Sequence, residues 1–92
     1  MNVNFYATLR SVVGAKSVDF ELQPGATVGD LLAAMIARYP ALRTELLNAS
    51  GELYSHVHIF VNGRDTPFLE KGMDTVLQPE DTLGVFPAVG GG

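Results

Sequence analysis

The chain ends in three consecutive glycines, Gly90, Gly91 and Gly92, which suggest that its C-terminus takes part in a reaction. Because glycine lacks a Cβ, residues 88–92 are expected to form a thin, flexible C-terminal tail that a narrow enzyme channel can accept. The reactive group would be the terminal carboxylate of Gly92, which is a poor electrophile until it is adenylated. The resulting mixed anhydride can be attacked by a sulfur or nitrogen nucleophile. We therefore predict that an activating partner enzyme performs the chemistry on this tail.

The rest of the chain offers few other reactive groups. It contains no cysteine, so it cannot hold a disulfide, a thiolate metal site or a persulfide on its own side chains. It also lacks a Ser-His-Asp order or a phosphate-binding loop typical of an active site. We expect no cofactor, and the alternative interpretation of the glycines is a frayed terminus without a chemical role.

Two histidines could begin a metal site. His56 and His58 are two residues apart in a predicted strand, so both side chains would point to the same face. No third ligand is evident, and zinc sites in proteins usually have three or four protein ligands. We therefore expect exposed strand histidines and no metal.

Composition limits the class of protein. With 92 residues, of which 47% are hydrophobic and 17% charged, the chain is expected to form one compact domain. The net charge is −4 and the six basic residues are dispersed, which argues against a nucleic-acid surface. The N-terminus carries no basic region before an apolar stretch, and no segment approaches the length of a membrane span. We therefore expect a cytoplasmic protein that binds neither membranes nor nucleic acid.

Alternation of apolar and polar residues predicts strands at 3–8, 17–22, 57–61 and 82–86. Residues 9–15 are interpreted as a hairpin connection. Asn62-Gly63 is a strong turn signal directly after the third strand. The segment 64–78 is harder to assign, and a brief strand or a single helical turn at 73–77 remains open.

One long helix is predicted between the second and third strands. Thr27 and Asp30 have the spacing of a partial capping box, and Pro40 should end the helix. Its apolar residues form one helical stripe. They are Val28, Leu31, Leu32, Met35, Ile36 and Tyr39. Residues 41–47 are predicted to add a short second helix.

A strand hairpin, a long helix, a strand and a terminal strand predict an α+β fold of the β-grasp (ubiquitin-like) type. We expect a mixed sheet of four or five strands with one main helix across one face. This domain would comprise residues 1–87, with 88–92 as the tail. A ferredoxin-like fold would need a helix after the first strand, and we expect residues 11–15 to be too few to hold one.

The alternation also predicts where partners bind. Tyr6, Phe60 and Phe86 should lie on the sheet face opposite the one that the helix covers. Aromatic residues clustered on an exposed face are typical interface anchors. We expect the activating enzyme and the acceptor to bind there, unless the segment from Arg64 onward covers these side chains.

Nearly the whole chain resembles the ubiquitin-like sulfur carriers typified by the small subunit of molybdopterin synthase (MoaD) and the thiamine sulfur carrier (ThiS). The similarity is clearest at 3–10 with Val13-Gly14, at 27–32, at 57–63 and at 81–92. The Phe-Pro-Ala-Val before the glycines resembles the molybdopterin branch, which commonly has Phe-Pro-Pro-Val. Residues 42–56, however, resemble an insert in the carrier of cysteine biosynthesis in actinobacteria, so the pathway stays open.

The resemblance implies that an E1-like enzyme adenylates Gly92 with ATP and that the tail then receives sulfur as a thiocarboxylate. Gly90 and Gly91 would thread through the narrow channel, and the large synthase subunit would be a further partner. Pro87 would contact a partner, and Arg10 would steer a partner's carboxylate or remain solvated.

Three further interpretations stay open. The acidic Glu80 and Asp81 could pair with basic groups of a partner or form a polar turn. The protein could be a modifier that forms isopeptide bonds with lysines, or a plain binding domain with an irrelevant tail. Deletion of Gly91 and Gly92 would identify a plain binding domain, because such a domain would keep its partner.

Overall fold

The computed structural model describes residues 1–87, so the predicted tail at 88–92 lies outside the described residues. The elements follow one another as a hairpin, a long helix and three further strands. The strands are β1 Asn2–Phe5, β2 Ser17–Asp19, β3 His58–Val61, β4 Arg64–Asp65 and β5 Leu83–Phe86. The helices are α1 Leu9–Val13, α2 Val28–Arg38 and α3 Leu42–Leu46, and two 3-10 turns lie at Thr66–Phe68 and Gly72–Asp74.

The five strands form one mixed sheet in the order β2-β1-β5-β3-β4. β1 and β5 are parallel neighbours at the centre, and the other pairs are antiparallel. A parallel pair requires a crossover connection, which here includes α2. The predicted β-grasp fold is confirmed.

Helix α2 covers one face of the sheet and forms the core with it. Val28, Leu31 and Met35, which belong to the predicted stripe, are each 0% exposed. Opposite them, the sheet contributes buried side chains from its three central strands, among them Phe5, Ile59 and Val85. The core therefore lies between α2 and the face that the alternation assigned to it.

The start of α2 follows the predicted signal. Thr27 Oγ1 accepts a hydrogen bond from the Asp30 amide at 3.2 Å, and Asp30 Oδ2 accepts one from the Thr27 amide at 2.9 Å. This reciprocal pair satisfies two amides that a helix N-terminus leaves unpaired. The helix ends at Arg38, two residues before Pro40, because the position before a proline disfavours helical backbone.

The prediction that the first connection holds no helix was wrong. Leu9–Val13 forms a one-turn helix whose end residues, Leu9 and Val13, are buried on the same side. Gly14 ends it in the left-handed conformation, and Ala7, at φ 53°, ends the first strand earlier than the alternation predicts. The ferredoxin-like fold is still excluded, because β1 and β2 are antiparallel neighbours without a crossover.

The segment after β3 packs against the helix side of the domain. Asn62 and Gly63, both with positive φ, close the predicted two-residue turn into β4. Further along, Val76 forms an isolated bridge with Thr27, and Leu77 is 5% exposed. Residues 73–77 therefore contain the end of the second 3-10 turn and this single bridge.

Across residues 1–87, no helix is both long and apolar enough to cross a membrane.

Candidate docking surface

Three aromatic side chains form a row on the sheet face that α2 leaves open. The Tyr6 and Phe86 rings stack in parallel, with centroids 4.1 Å apart and an interplanar angle of 1°. The Phe60 ring meets Phe86 edge-on at 5.3 Å and 81°. We call Tyr6, Phe86 and Phe60 the aromatic row, and it confirms that these three side chains share one face.

The strand registers bring these residues together. Phe5 pairs with Val85 across the parallel β1–β5 pair, so Tyr6 follows beside Phe86, and its amide donates to the Val85 carbonyl at 3.1 Å. Phe60 pairs with Gly84 across β3–β5 and therefore lies diagonally from Phe86. Aromatic pairs of this geometry contribute beyond their buried area, so the row is a defined structure rather than a set of loose side chains.

Gly84 provides the space in which the Tyr6 ring lies. A Cβ at Gly84 would be 3.1 Å from Cε2 of Tyr6, closer than ordinary van der Waals contact. Glycine within a strand often marks such a close approach. The stacked pair therefore depends on the absence of a side chain at this position.

The row remains accessible in the free chain. Phe86 is 37% exposed, and Tyr6 and Phe60 are half-buried. A shallow depression of about 290 Å³ adjoins them. Its walls are Asn4, Tyr6, Phe60, Gly63, Thr82, Leu83, Gly84 and Phe86. Residues 64–78, which could have covered the row, contribute nothing to these walls.

Arg10 lies at one end of the row. Its Nε donates to the Phe5 carbonyl at 2.8 Å, and its Cζ is 5.4 Å from the centroid of the Tyr6 ring. A guanidinium over an aromatic face is held by a cation–π attraction while its remaining donors stay available. Pro87, the other residue expected to contact a partner, is buried at the end of β5.

His58 lies at the opposite end of the row, beside Phe60. Their ring centroids are 5.9 Å apart, and His58 pairs with Phe86 in the strand register. His58 Nδ1 is 2.6 Å from Oδ2 of Asp65, whose side chain is only 14% exposed. The other oxygen of Asp65, Oδ1, is buried without a hydrogen-bond partner. A carboxylate beneath the surface thus holds the imidazole in one orientation.

The prediction that both histidines lie on a strand was wrong for His56. It lies in the turn before β3, where its Nδ1 is 3.2 Å from Ser55 Oγ. Within residues 1–87, no group of three or more histidine, cysteine, aspartate and glutamate side chains is placed to hold a metal ion.

Glu80 and Asp81 lie just before the start of β5. Pro87, the last described residue, follows the opposite end of this strand. Asp81 Oδ1 accepts from the Asn62 side-chain amide at 2.9 Å, and its Oδ2 accepts from the Gln78 amide at 2.8 Å. The carboxylate of Asp81 therefore stabilises two turns, as the polar-turn interpretation expects.

Sequence reasoning missed Asp65 and Gly84. A two-residue Asn-Gly turn pairs Val61 with Arg64 and Phe60 with Asp65, so a register argument could have placed Asp65 diagonally from His58. The close approach at Gly84 has no comparable signal, because it depends on which way the Tyr6 ring turns.

Comparison with known proteins identifies the family of this chain. The model of the ThiS family matches residues 3–92. Small archaeal modifier protein 3 of Haloferax volcanii is 41% identical over 92 residues, which cover 100% of this chain and 98% of that protein.

Solved structures support the same assignment. The crystal structure of SAMP1 from Haloferax volcanii has a TM-score of 0.85 at 32% identity, over 99% of this chain and 97% of that one. The crystal structure of the BexX/CysO complex of Amycolatopsis orientalis contains a chain with a TM-score of 0.78 at 29% identity, over 99% of this chain and 98% of that one. The chain therefore belongs to the ThiS family and is a ubiquitin-like protein of the sulfur carrier and protein modifier type.

Proposed function

We propose that the protein carries sulfur as a thiocarboxylate on the C-terminal carboxylate of Gly92. The observation that supports this most strongly is the accessible aromatic row at the end of the sheet where β5 leads into the glycine tail. The match to the ThiS family extends through the three glycines. A protein without cysteine can carry sulfur on this carboxylate, because the group belongs to the main chain.

The proposed chemistry proceeds in two steps on the tail. An E1-like enzyme presents ATP, and a carboxylate oxygen of Gly92 attacks the α-phosphorus and releases pyrophosphate. Sulfide then attacks the acyl carbon of the adenylate, AMP leaves, and Gly92 retains the sulfur as a thiocarboxylate. Gly90 and Gly91 carry no side chain, so an extended tail can pass through the narrow channel that excludes water from the adenylate.

We propose that the aromatic row binds the activating enzyme and later the sulfur acceptor. Aromatic side chains in a central, desolvated patch commonly supply most of the binding energy of an interface. Because both partners would use the same surface, each must leave before the other can bind.

For the acceptor, we propose the large subunit of molybdopterin synthase. The support is the sequence Phe86-Pro87-Ala88-Val89 before the glycines, which resembles the molybdopterin branch. The reaction would take place in the cytoplasm, where ATP is available to the activating enzyme. In this pathway the protein acts as the sulfur-donating subunit of a complex and contributes no catalytic side chain.

A second candidate function is protein modification. The 41% identity with small archaeal modifier protein 3 favours it. The same acyl adenylate would then pass to a lysine amine and form an isopeptide bond. Sulfur delivery to cysteine or thiamine synthesis would likewise differ only in the acceptor, and the structural similarity to the chain of the BexX/CysO complex is compatible with that alternative.

The docking surface can be tested with charged substitutions. We expect Tyr6→Asp and Phe86→Asp to abolish adenylation by the purified activating enzyme of the same host while the domain still unfolds in one cooperative thermal transition. Phe68→Asp is the matched control, because Phe68 is 76% exposed and lies outside the row. Normal adenylation of Phe86→Asp would exclude the row as the docking surface.

The acceptor can be identified after activation. The activated protein is incubated with an extract of its host, and lysine peptides that carry a residue of the glycine tail are sought by mass spectrometry. Their presence supports modification. Return of the thiocarboxylate to carboxylate, with its sulfur recovered in a small molecule, supports sulfur delivery.

A further inference from the structure

The aromatic row has chemically different ends, and this difference suggests how a partner is oriented on it. Arg10 contacts Tyr6 at one end, and His58 contacts Phe60 at the other. Arg10 offers only hydrogen-bond donors, because a guanidinium has no acceptor. Whether the other end offers a donor or an acceptor depends on the hydrogen bond between His58 and Asp65.

An ionised carboxylate has no proton to donate, so Nδ1 of His58 must be the donor in its 2.6 Å bond to Asp65. In the neutral ring, Nε2 is then the unprotonated nitrogen and acts as an acceptor. The His58 side chain is 43% exposed, so a partner can reach the ring. Asp65 thus fixes the tautomer that presents an acceptor at the surface.

The charge of the His58–Asp65 pair, like its exposed acceptor, favours a cationic hydrogen-bond donor on the partner. With the ring neutral, Asp65 and His58 together carry one negative charge, and the exposed ring offers an acceptor. A protonated ring would instead leave the pair without net charge and present Nε2–H as a donor, so the proposed contact is the one that the neutral ring makes. The second oxygen of the Asp65 carboxylate, Oδ1, is buried and has no hydrogen-bond partner within residues 1–87. His58 is therefore the one side chain in this part of the protein that donates to the carboxylate.

We propose that the activating enzyme places a lysine or arginine opposite His58 and a carboxylate opposite Arg10, with an apolar patch between them. This inference rests on the proposed docking function of the row. A partner bound in the reverse direction would place its cation against Arg10 and its carboxylate against the His58–Asp65 pair. Such like-charge contacts oppose the wrong complex, so the two ends fix the direction in which the tail enters the enzyme.

The test measures the dissociation constant of the complex with the purified activating enzyme of the same host. His58→Phe keeps an aromatic ring against Phe60 and removes the acceptor, and we expect binding to weaken about tenfold. His58→Lys places a permanent cation at this end, so it should bind more weakly than His58→Phe. His56→Phe is the matched control, because the exposed His56 lies in the preceding turn and its ring belongs to none of the ring pairs of the row.

Two results would overturn the proposal. One is unchanged affinity of His58→Phe, and the other is tighter binding of His58→Lys than of His58→Phe, which would indicate a partner carboxylate at this end. Phe86→Asp distinguishes a wrong orientation from a wrong docking surface. If Phe86→Asp weakens binding and the His58 variants do not, only the orientation is wrong; if Phe86→Asp binds normally, the docking surface itself is wrong.

Discussion

At the scale of single residues, the geometry of the candidate site depends on a glycine. Gly84 lies between Phe60 and the Tyr6 ring in the sheet, and its missing Cβ leaves the space that the ring occupies. Tyr6 can therefore stack in parallel on Phe86. The stack in turn forms the centre of the surface that we assign to partner binding.

We expect Gly84→Val to destabilise the domain by about 1–3 kcal/mol, because the added carbons overlap the Tyr6 ring and force it off Phe86. Denaturant unfolding measures the stability, and affinity for the activating enzyme should fall in parallel. Glu21→Val is the control, since Glu21 is exposed and lies outside the row and its depression. Unchanged stability of Gly84→Val would show that the Tyr6 ring has room to move.

The positions of the side chains in the candidate site were predictable from the sequence only in part. Alternation placed Tyr6, Phe60 and Phe86 on one face, because strand side chains alternate with a period of two. It could not predict that Asp65 holds His58, since that contact needs the register of the following hairpin. His58 instead suggested the beginning of a metal site.

At the scale of elements, helix α2 packs on the sheet to form the core, and residues next to its N-terminus determine where it begins. The capping box of Thr27 and Asp30 could be read from spacing alone, and the structure contains both of its hydrogen bonds. Thr27 also bridges Val76, which ties the segment after β4 to the beginning of the helix.

We expect Thr27→Ala to lower the free energy of unfolding by about 1 kcal/mol, because the Asp30 amide loses its side-chain acceptor. Thr27→Ser keeps a hydroxyl at the cap and should lose much less. Chemical denaturation of the two variants and the parent chain measures this. Equal losses for alanine and serine would mean that the methyl group of Thr27, rather than the cap, provides the stability.

The short elements were the least predictable. Helix α1 is only five residues long, and five residues carry too little periodicity to distinguish a helical turn from a loop. The segment after β4 is held by tertiary contacts, including the bond from the Val28 amide to the Thr75 carbonyl at 3.0 Å. Such contacts leave no regular pattern in the sequence.

At the scale of the whole molecule, the two ends of the sheet differ in character. Tyr6 and His58 lie on either side of Phe86, at the end where β5 leads towards the glycines. The other end is closed by polar turns in which each carboxylate oxygen of Asp81 accepts a hydrogen bond.

The order of hairpin, helix and strands was sufficient to predict this fold, because few topologies place a hairpin and a helical crossover in one mixed sheet. The acceptor could not be predicted, since sulfur transfer and protein modification begin from the same adenylate.

The intact mass of the protein shows whether Gly92 carries sulfur. The chain is incubated with ATP, sulfide and the activating enzyme of its own host. We predict a mass gain equal to the replacement of one oxygen by sulfur, and no gain in a variant that lacks Gly92. An unchanged mass of the full chain, together with failure to trap an adenylate, would mean that Gly92 is not activated and that the protein is a β-grasp binding domain.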